Sequence, residues 1–492
     1  SVYFFTISYN IVDFPELFTY SYVNLSLFFN SAITCSASNA LHIKYPPLGL
    51  ASIAGYIRSK GYIVDLYDAY SLNGTVKTII DRAKSFKADV VAISSTTALI
   101  DNTFRTAEAI KKYDKRIKVV VGGSHATADP AHCLSNQNID VALIGEGEIS
   151  LHKTIQVFQN DWHLDNIEGV AFRNGKGEII TSSPSLIKNI DELPFPAYDL
   201  LPLDEYKSPY STRKPFTSMC RTRGCSYVCT YCEIPQIYKK TFRIQSPERT
   251  IKEIDYLVNE FGIKEIAFKD PIFTLDRKNV MGFCDSLIKK NYDLIWSANS
   301  RVDNITQDMC FKMKEAGCES LTFGLESGDQ KILNNLKKHA TIHQARQAIS
   351  YAKKAKIKVV ANFMVGNPGE TKESINNTIK FMKEIDPDYV NIAFTTALPG
   401  TELWNQAEEN DWIKYKDYSS VNYEDLQMNA TKISDEELRK LLNKMYRKFY
   451  FRPKYILKRA RKLSPPEIRN SWNGFFSILQ NTLRVKTDKR LS

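Results

Sequence analysis

The sequence predicts an α/β protein of two successive units: an N-terminal doubly wound (Rossmann-like) domain, then a partial (β/α)6 barrel, with a C-terminal helical segment after them. Three observations predict it. Apolar, nearly continuous strands alternate with amphipathic helices through the first third of the chain, the pattern of a parallel sheet covered on both faces. Six further strands recur at intervals of roughly 25 to 35 residues, the rhythm of a barrel with six units rather than eight. The 492 residues are 43% apolar and 25% charged, ordinary for a globular chain long enough for two or three domains.

Taken in order, Val2 to Ser8 reads as an opening strand, followed by an aromatic and polar stretch to Ala40 with no clean period. Helix Leu48 to Lys60, strand Tyr62 to Tyr67, helix Val76 to Phe86, strand Asp89 to Ser94 and helix Asp101 to Tyr113 follow. Strand Lys118 to Val121, a short helix near Pro130 to Leu134, strand Val141 to Ile144 and helix Ile149 to Phe158 complete a domain over 1–165. Residues 166–212 read as a linker. It holds a hairpin, Gly169 to Ile180 with Asn174-Gly175 at its turn, and the Pro-rich apolar run Leu193 to Pro202, which is expected to pack across the domain interface.

The barrel is expected over 213–405, with strands Phe216 to Cys220, Glu265 to Phe268, Leu294 to Ala298, Ser320 to Phe323, Lys358 to Met364 and Tyr389 to Phe394. Chemistry in such a fold sits at the carboxyl ends of the strands. The unusual residues fall there: Lys269-Asp270, Asn299 and Arg301, Glu326 between Gly324 and Gly328, Gly366-Asn-Pro-Gly-Glu370, and Leu398-Pro-Gly-Thr401. Over 406–492 a basic helical extension is expected. Between Lys432 and Lys462 stand twelve Lys/Arg against three acids, interleaved with aromatic residues, and Ser434-Asp-Glu-Glu437 reads as a capping box. Such a segment either packs its aromatic stripe on the preceding domain or meets an anionic membrane surface or nucleic acid.

After the first barrel strand comes Cys225-Ser-Tyr-Val-Cys229-Thr-Tyr-Cys232. Three thiolates are one short of a closed metal site, so one coordination position is left for a reactant. Zinc, with Cys220 as a fourth ligand, is the alternative, although the spacing departs from paired CxxC knuckles. Disulfides fit poorly, because nine cysteines is an odd count and three crowd into eight residues. A reducing, cytoplasmic setting follows from this reading.

The C-x3-C-x2-C loop, with Tyr231 before its last cysteine, resembles the signature of the radical S-adenosylmethionine superfamily. The resemblance implies that Cys225, Cys229 and Cys232 hold a [4Fe-4S] cluster, whose open iron chelates S-adenosylmethionine and reduces it to a 5'-deoxyadenosyl radical. It further implies that Glu326 and Tyr231 lie at the S-adenosylmethionine site and that the Gly366 loop shapes its adenine pocket. Arg301 is expected to pair with the methionine carboxylate or with Asp303, and Glu370 to serve that site or the N-terminus of the next helix.

In the first domain, Tyr45-Pro-Pro-Leu-Gly-Leu50, the loop Ser94-Ser95-Thr96-Thr97, Gly122-Gly123 and Gly145-Glu146-Gly147 follow strand ends, and glycines there let a ligand approach the backbone. With these loops the domain resembles the cobalamin-binding domain that precedes many radical S-adenosylmethionine cores. The resemblance implies cobalamin held against Ser95, Thr96, Gly122, Gly123 and Glu146. No D-x-H-x-x-G motif is present, so no histidine at that loop is expected on cobalt; His125 reads as a polar ligand contact or as a surface or capping residue.

The family implies methyl transfer to an unactivated carbon of a small-molecule substrate, fed by an electron donor such as flavodoxin or ferredoxin. Two alternatives remain: a cobalamin-linked oxidative cyclisation or rearrangement of a tetrapyrrole or lipid-like molecule, like the anaerobic cyclase whose Phe-Tyr-x-Arg-Pro pattern Phe449 to Pro453 resembles, and a non-catalytic corrinoid-binding sensor. No window reaches the roughly 18 to 20 apolar residues of a membrane span. The first 43 residues hold no Lys or Arg, which removes the positive region of a secretory signal. Peripheral membrane contact stays open, and no added nucleic-acid-binding module is evident.

Overall fold

The computed structural model describes residues 24–30 and 44–460, apart from short breaks at 161–162, 209, 416, 419–420 and 422–424. The first sheet comprises β1 (Asn24–Asn30), β2 (Ile63–Tyr67), β3 (Val90–Ser94), β4 (Lys118–Gly122), β5 (Val141–Leu143), β6 (Val170–Arg173) and β7 (Ile179–Thr181). Its spatial order is β2-β1-β3-β4-β5-β6-β7. The expected strand Val2 to Ser8 lies outside the described residues. The apolar run Asn24–Asn30 supplies a strand instead, in parallel register with β2 on one side and β3 on the other. The hairpin around Asn174-Gly175 is not a free connection. Its two strands extend the sheet, β6 pairing antiparallel with β5 and β7 with β6.

Period-2 alternation sorts the parallel strands between two layers. Val90, Ala92 and Val120 face helices Leu48–Ser59 and Gly147–Asn160. Val91, Ile93, Val119 and Val121 face helices Val76–Phe86 and Ile100–Tyr113. The first of these cores runs on through Ala197, Tyr198, Leu201 and Tyr206 into the barrel. The Pro-rich run therefore does pack across the interface, and Gly55 is small for that reason: a Cβ there would meet the Phe195 carbonyl oxygen at 2.3 Å.

The second sheet uses β8 (Phe216–Met219), β11 (Glu265–Phe268), β12 (Ile295–Ser300), β13 (Cys318–Glu326), β14 (Lys358–Val365) and β15 (Tyr389–Phe394), in spatial order β15-β14-β13-β12-β11-β8 and all parallel. A small ribbon of β9 (Thr222–Gly224) and β10 (Phe242–Ile244) flanks the cysteine loop. Six strands leave this barrel open at β15, and the C-terminal extension covers that edge. From helix Asp435–Tyr450, the Tyr446 hydroxyl accepts from the Ile392 N–H and donates to its carbonyl, both at 2.9 Å, and Tyr450 does the same at Val390 at 3.0 and 2.9 Å. Two phenols thus take the hydrogen bonds of a missing strand. Leu438, Leu441, Met445 and Phe449 are buried beneath the same helix, so its aromatic stripe packs on the barrel. Ser434 caps it by accepting from Glu437 N, one half of the expected capping box. No described helix is long and apolar enough to cross a membrane.

Candidate active site

The cysteine loop leaves β9 through Gly224, whose φ of +85° and contact with the Thr241 carbonyl leave no room for a Cβ. Cys225, Cys229 and Cys232 are free thiols whose charges act on one another. Burial pushes Cys225 up and Cys232 up to about 12, so both are protonated thiols until a metal takes the proton's place. Cys220 turns away, its thiol donating to the Thr222 carbonyl at 3.1 Å. A single zinc ion draws its thiolates to within about 4 Å of one another, from Zn–S bonds of about 2.3 Å. Among the described residues no three His, Cys, Asp or Glu side chains converge that way. With Cys220 engaged at Thr222, the zinc reading loses its fourth ligand.

A bulge in β13 positions the residue opposite this loop. Gly324 pairs with Asn362 and Glu326 with Phe363, leaving Leu325 as the extra residue. Glu326, at φ +62°, points at the cysteines: its Oε1 accepts from Tyr231 Oη at 3.0 Å and from Lys338 Nζ at 2.8 Å. Acid and lysine are buried and the phenol is half-buried, so a carboxylate is held ready beside the thiols. Lys338 carries no motif in the sequence and only the fold brings it here.

Of the two partners expected for it, Arg301 takes Asp303. Its guanidinium forms a buried ion pair with Asp303 at 2.9 Å, donates to the Lys338 carbonyl at 2.6 Å, and lies 3.6 Å from the Tyr227 ring centroid. It braces the cysteine loop, with Nη1 3.7 Å from Cys229 Sγ. Gly366 adopts φ +90°, and its N–H donates to Glu370 Oε2 at 2.7 Å. Glu370 also accepts from Asn367 N, so it ties the loop together; the following helix is capped by Thr371 instead. Burial raises the Glu370 carboxyl to about 7.

On the other side of the junction a cavity of about 380 Å³ opens between the two sheets. Ser94, Gly122, Gly123, Thr127, Gly145 and Glu146 line it from the first domain, and Arg223, Tyr238 and Lys269 from the second. Its glycines do not all serve a ligand. A Cβ on Gly123, at φ +103°, would meet the Ser95 carbonyl at 2.5 Å, whereas one on Gly122 would make only ordinary contact with Leu143. Gly122 is therefore the open cradle and Gly123 a packing requirement. Ser95 is buried away from the cavity, its hydroxyl held by Thr103 at 2.9 Å, and Thr96 is exposed; Ser94 and Thr127, with Ser52 and Ser124, put hydroxyl side chains on the wall. Glu146 reaches the cavity wall, but its carboxylate is taken by Arg223 at 2.9 Å, Arg243 at 2.6 Å and Ile187 N at 2.6 Å. His125 is fully buried against Thr97 and His132, under the ring of Tyr418, neither a cavity contact nor a cap. Burial lowers it to about 4, which keeps it neutral.

A doubly wound sheet facing an open barrel, with a three-thiol loop and a glycine-lined cavity between them, defines an enzyme class built to hold a corrinoid beside an iron-sulfur cluster. Residues 39–153 match the B12 binding domain and residues 219–382 the Radical SAM superfamily. The chain is 34% identical to Uncharacterized methyltransferase PH0819 of Pyrococcus horikoshii, across 84% of this chain and 89% of that one. It is 27% identical to the anaerobic magnesium-protoporphyrin IX monomethyl ester cyclase of Rubrivivax gelatinosus, across 84% of this chain and 75% of that one. The cobalamin-dependent S-adenosylmethionine radical enzyme OxsB, solved with aqua-cobalamin and S-adenosylmethionine bound, superposes with a TM-score of 0.73 at 18% identity, covering 94% of this chain and 72% of that one. The chain belongs to the B12-binding radical S-adenosylmethionine family.

Proposed function

We propose that this protein is a cobalamin-dependent methyltransferase acting on an unactivated carbon of a small molecule, and that the residues divide as follows. Cys225, Cys229 and Cys232 hold the [4Fe-4S] cluster. Tyr231, Glu326, Lys338 and the Gly366 loop bind S-adenosylmethionine. Ser94, Gly122, Thr127 and the Gly145 turn would hold the corrinoid. When bound, the cluster supplies one electron to S-adenosylmethionine and the corrinoid supplies a methyl group. The protein's part is positional: Arg301 and Tyr227 brace the cysteine loop, Glu326 orients the cosubstrate, and the domain junction keeps water away from the reacting carbon.

The observation that carries this reading is the three-thiol loop beside Glu326 in the barrel together with the glycine-lined cavity at the junction with the first domain. The electron comes from outside, from a flavodoxin- or ferredoxin-class donor. Eight cysteines among the described residues are free, which supports a reducing, cytoplasmic setting. The test is anaerobic reconstitution with iron, sulfide and methylcobalamin, reduction with S-adenosylmethionine, and chromatography for 5'-deoxyadenosine. The expected product appears with the wild type and disappears in Cys225→Ala. A protein that takes up cobalamin yet never cleaves S-adenosylmethionine would be a sensor. Cleavage with a cyclised and unmethylated product would assign the cyclase chemistry of the Rubrivivax relative.

A further inference from the structure

Lys269 follows β11 at the carboxyl end of the barrel, where it lies on the border of two spaces. It lines the cavity of about 380 Å³ between the domains. It also lines a small barrel-lumen cavity of about 40 Å³, together with Tyr45, Tyr210, Asn299 and Thr322. On the function proposed above, the acceptor carbon must lie beside the corrinoid, and Lys269 lines the cavity that would hold it.

The charge around it is unbalanced. Its Nζ sits 3.3 Å from the centroid of the Tyr45 ring, and among the described residues no carboxylate is within ion-pair distance. Most other sheltered cations nearby are matched, Arg223 and Arg243 by Glu146, Arg249 by Glu253 and Lys338 by Glu326, whereas Arg221 is buried against the rings of Phe273 and Phe283. The acids closest in sequence are also committed elsewhere. Asp270 accepts from the Arg221 N–H, and Glu265, at the far end of β11, accepts from the N–H groups of Thr212 and Arg213. Burial alone pushes the Lys269 ammonium down to about 8, so at neutral pH it is a desolvated cation with only a ring face to offset it. A neutral substrate would leave that cost in place, and an anionic one would remove it.

We infer that the substrate carries an anionic oxygen group, a carboxylate or a phosphoryl, and that Lys269 binds it at the barrel mouth with its ammonium held by the Tyr45 ring. The inference rests on the proposed function and is tested apart from it. The cobalamin-loaded, reconstituted protein is labelled with isotopic acetic anhydride across pH 6 to 10, about two units either side of its midpoint, and modification of the Lys269 peptide is quantified by mass spectrometry. Labelling is expected to rise with a midpoint near pH 8 and to slow about tenfold with inorganic phosphate or succinate, but not with succinamide. Equal labelling in all three overturns the inference. So does protection by bound cobalamin that is lost when cobinamide replaces it, because the lysine then serves the corrinoid's own phosphodiester. The corrinoid spectrum and 5'-deoxyadenosine are read on the same samples: if both persist while Lys269 is unprotected, the substrate inference alone falls, and if either fails, the proposed function falls first.

Discussion

Glu326 occupies backbone space that side chains other than glycine rarely adopt, with φ at +62°, and it is held there by Tyr231 and Lys338. Strain kept in place by two charge-assisted partners is the mark of a residue whose direction matters. Glu326→Gln keeps the shape and removes the charge. The expected outcome is about tenfold weaker S-adenosylmethionine binding, by equilibrium binding to the reconstituted protein, with iron content unchanged. Glu370 predicts a pH signature. Burial raises its folded-state pKa from the ordinary 4.5 to about 7, so between those values the native state binds more protons than the unfolded chain. Its contribution to stability is therefore fully present below 4.5 and is lost as pH rises through 7, by about 3 kcal/mol. Denaturant unfolding across pH 4 to 8 is expected to show that fall, and Glu370→Gln to flatten it.

At the scale of elements, the open edge of the barrel is the clearest device. Tyr446 and Tyr450 each serve both backbone groups of one residue of β15, so removing a hydroxyl leaves a buried N–H and a carbonyl without partners. Tyr450→Phe is expected to cost about 1–3 kcal/mol by urea unfolding, and to speed hydrogen exchange at the Val390 amide. The sequence left this helix either packing its aromatic stripe on the preceding domain or meeting an anionic surface, and the stripe packs on the barrel. It did not show what the hydroxyls do, since a phenol's partner is set by the element it lands on.

The whole molecule is joined by charge as well as by its continuous core. Arg223 pairs with Glu146 at 2.9 Å and Glu148 at 2.6 Å, and Arg243 pairs with Glu146 from β10. Burial acts to raise the Glu148 carboxyl, yet Arg223 and Ser52 hold it below its ordinary range. Arg223→Met would strand the buried Glu148 carboxylate at the junction and leave Glu146 with Arg243 as its one cation. The expected loss is about 3–5 kcal/mol, with the two domains unfolding in separate calorimetric steps where the wild type shows one.

Much of this was readable without coordinates, because it depends on local order. Strand and helix follow from the period of apolar residues, and the three thiols from their spacing along eight residues, so the six barrel strands and the cysteine loop stand where the sequence puts them. The nature of a contact across the fold does not have that property. Glu146 looked like a ligand residue and is an ion-pair hub; Ser95 and Thr96 looked like a binding loop, while Ser94 and Thr127 line the cavity; Arg301 was a cosubstrate candidate and braces a loop. Lys338, Arg223 and Tyr198 gave no signal at all, since each matters only through a partner more than ten residues away. The sequence by itself determined the two units, their order and the cluster-binding loop. Only the tertiary structure decided which buried charges are already matched and which, like Lys269, are left for a ligand, because charge balance belongs to the assembled interior and not to the chain.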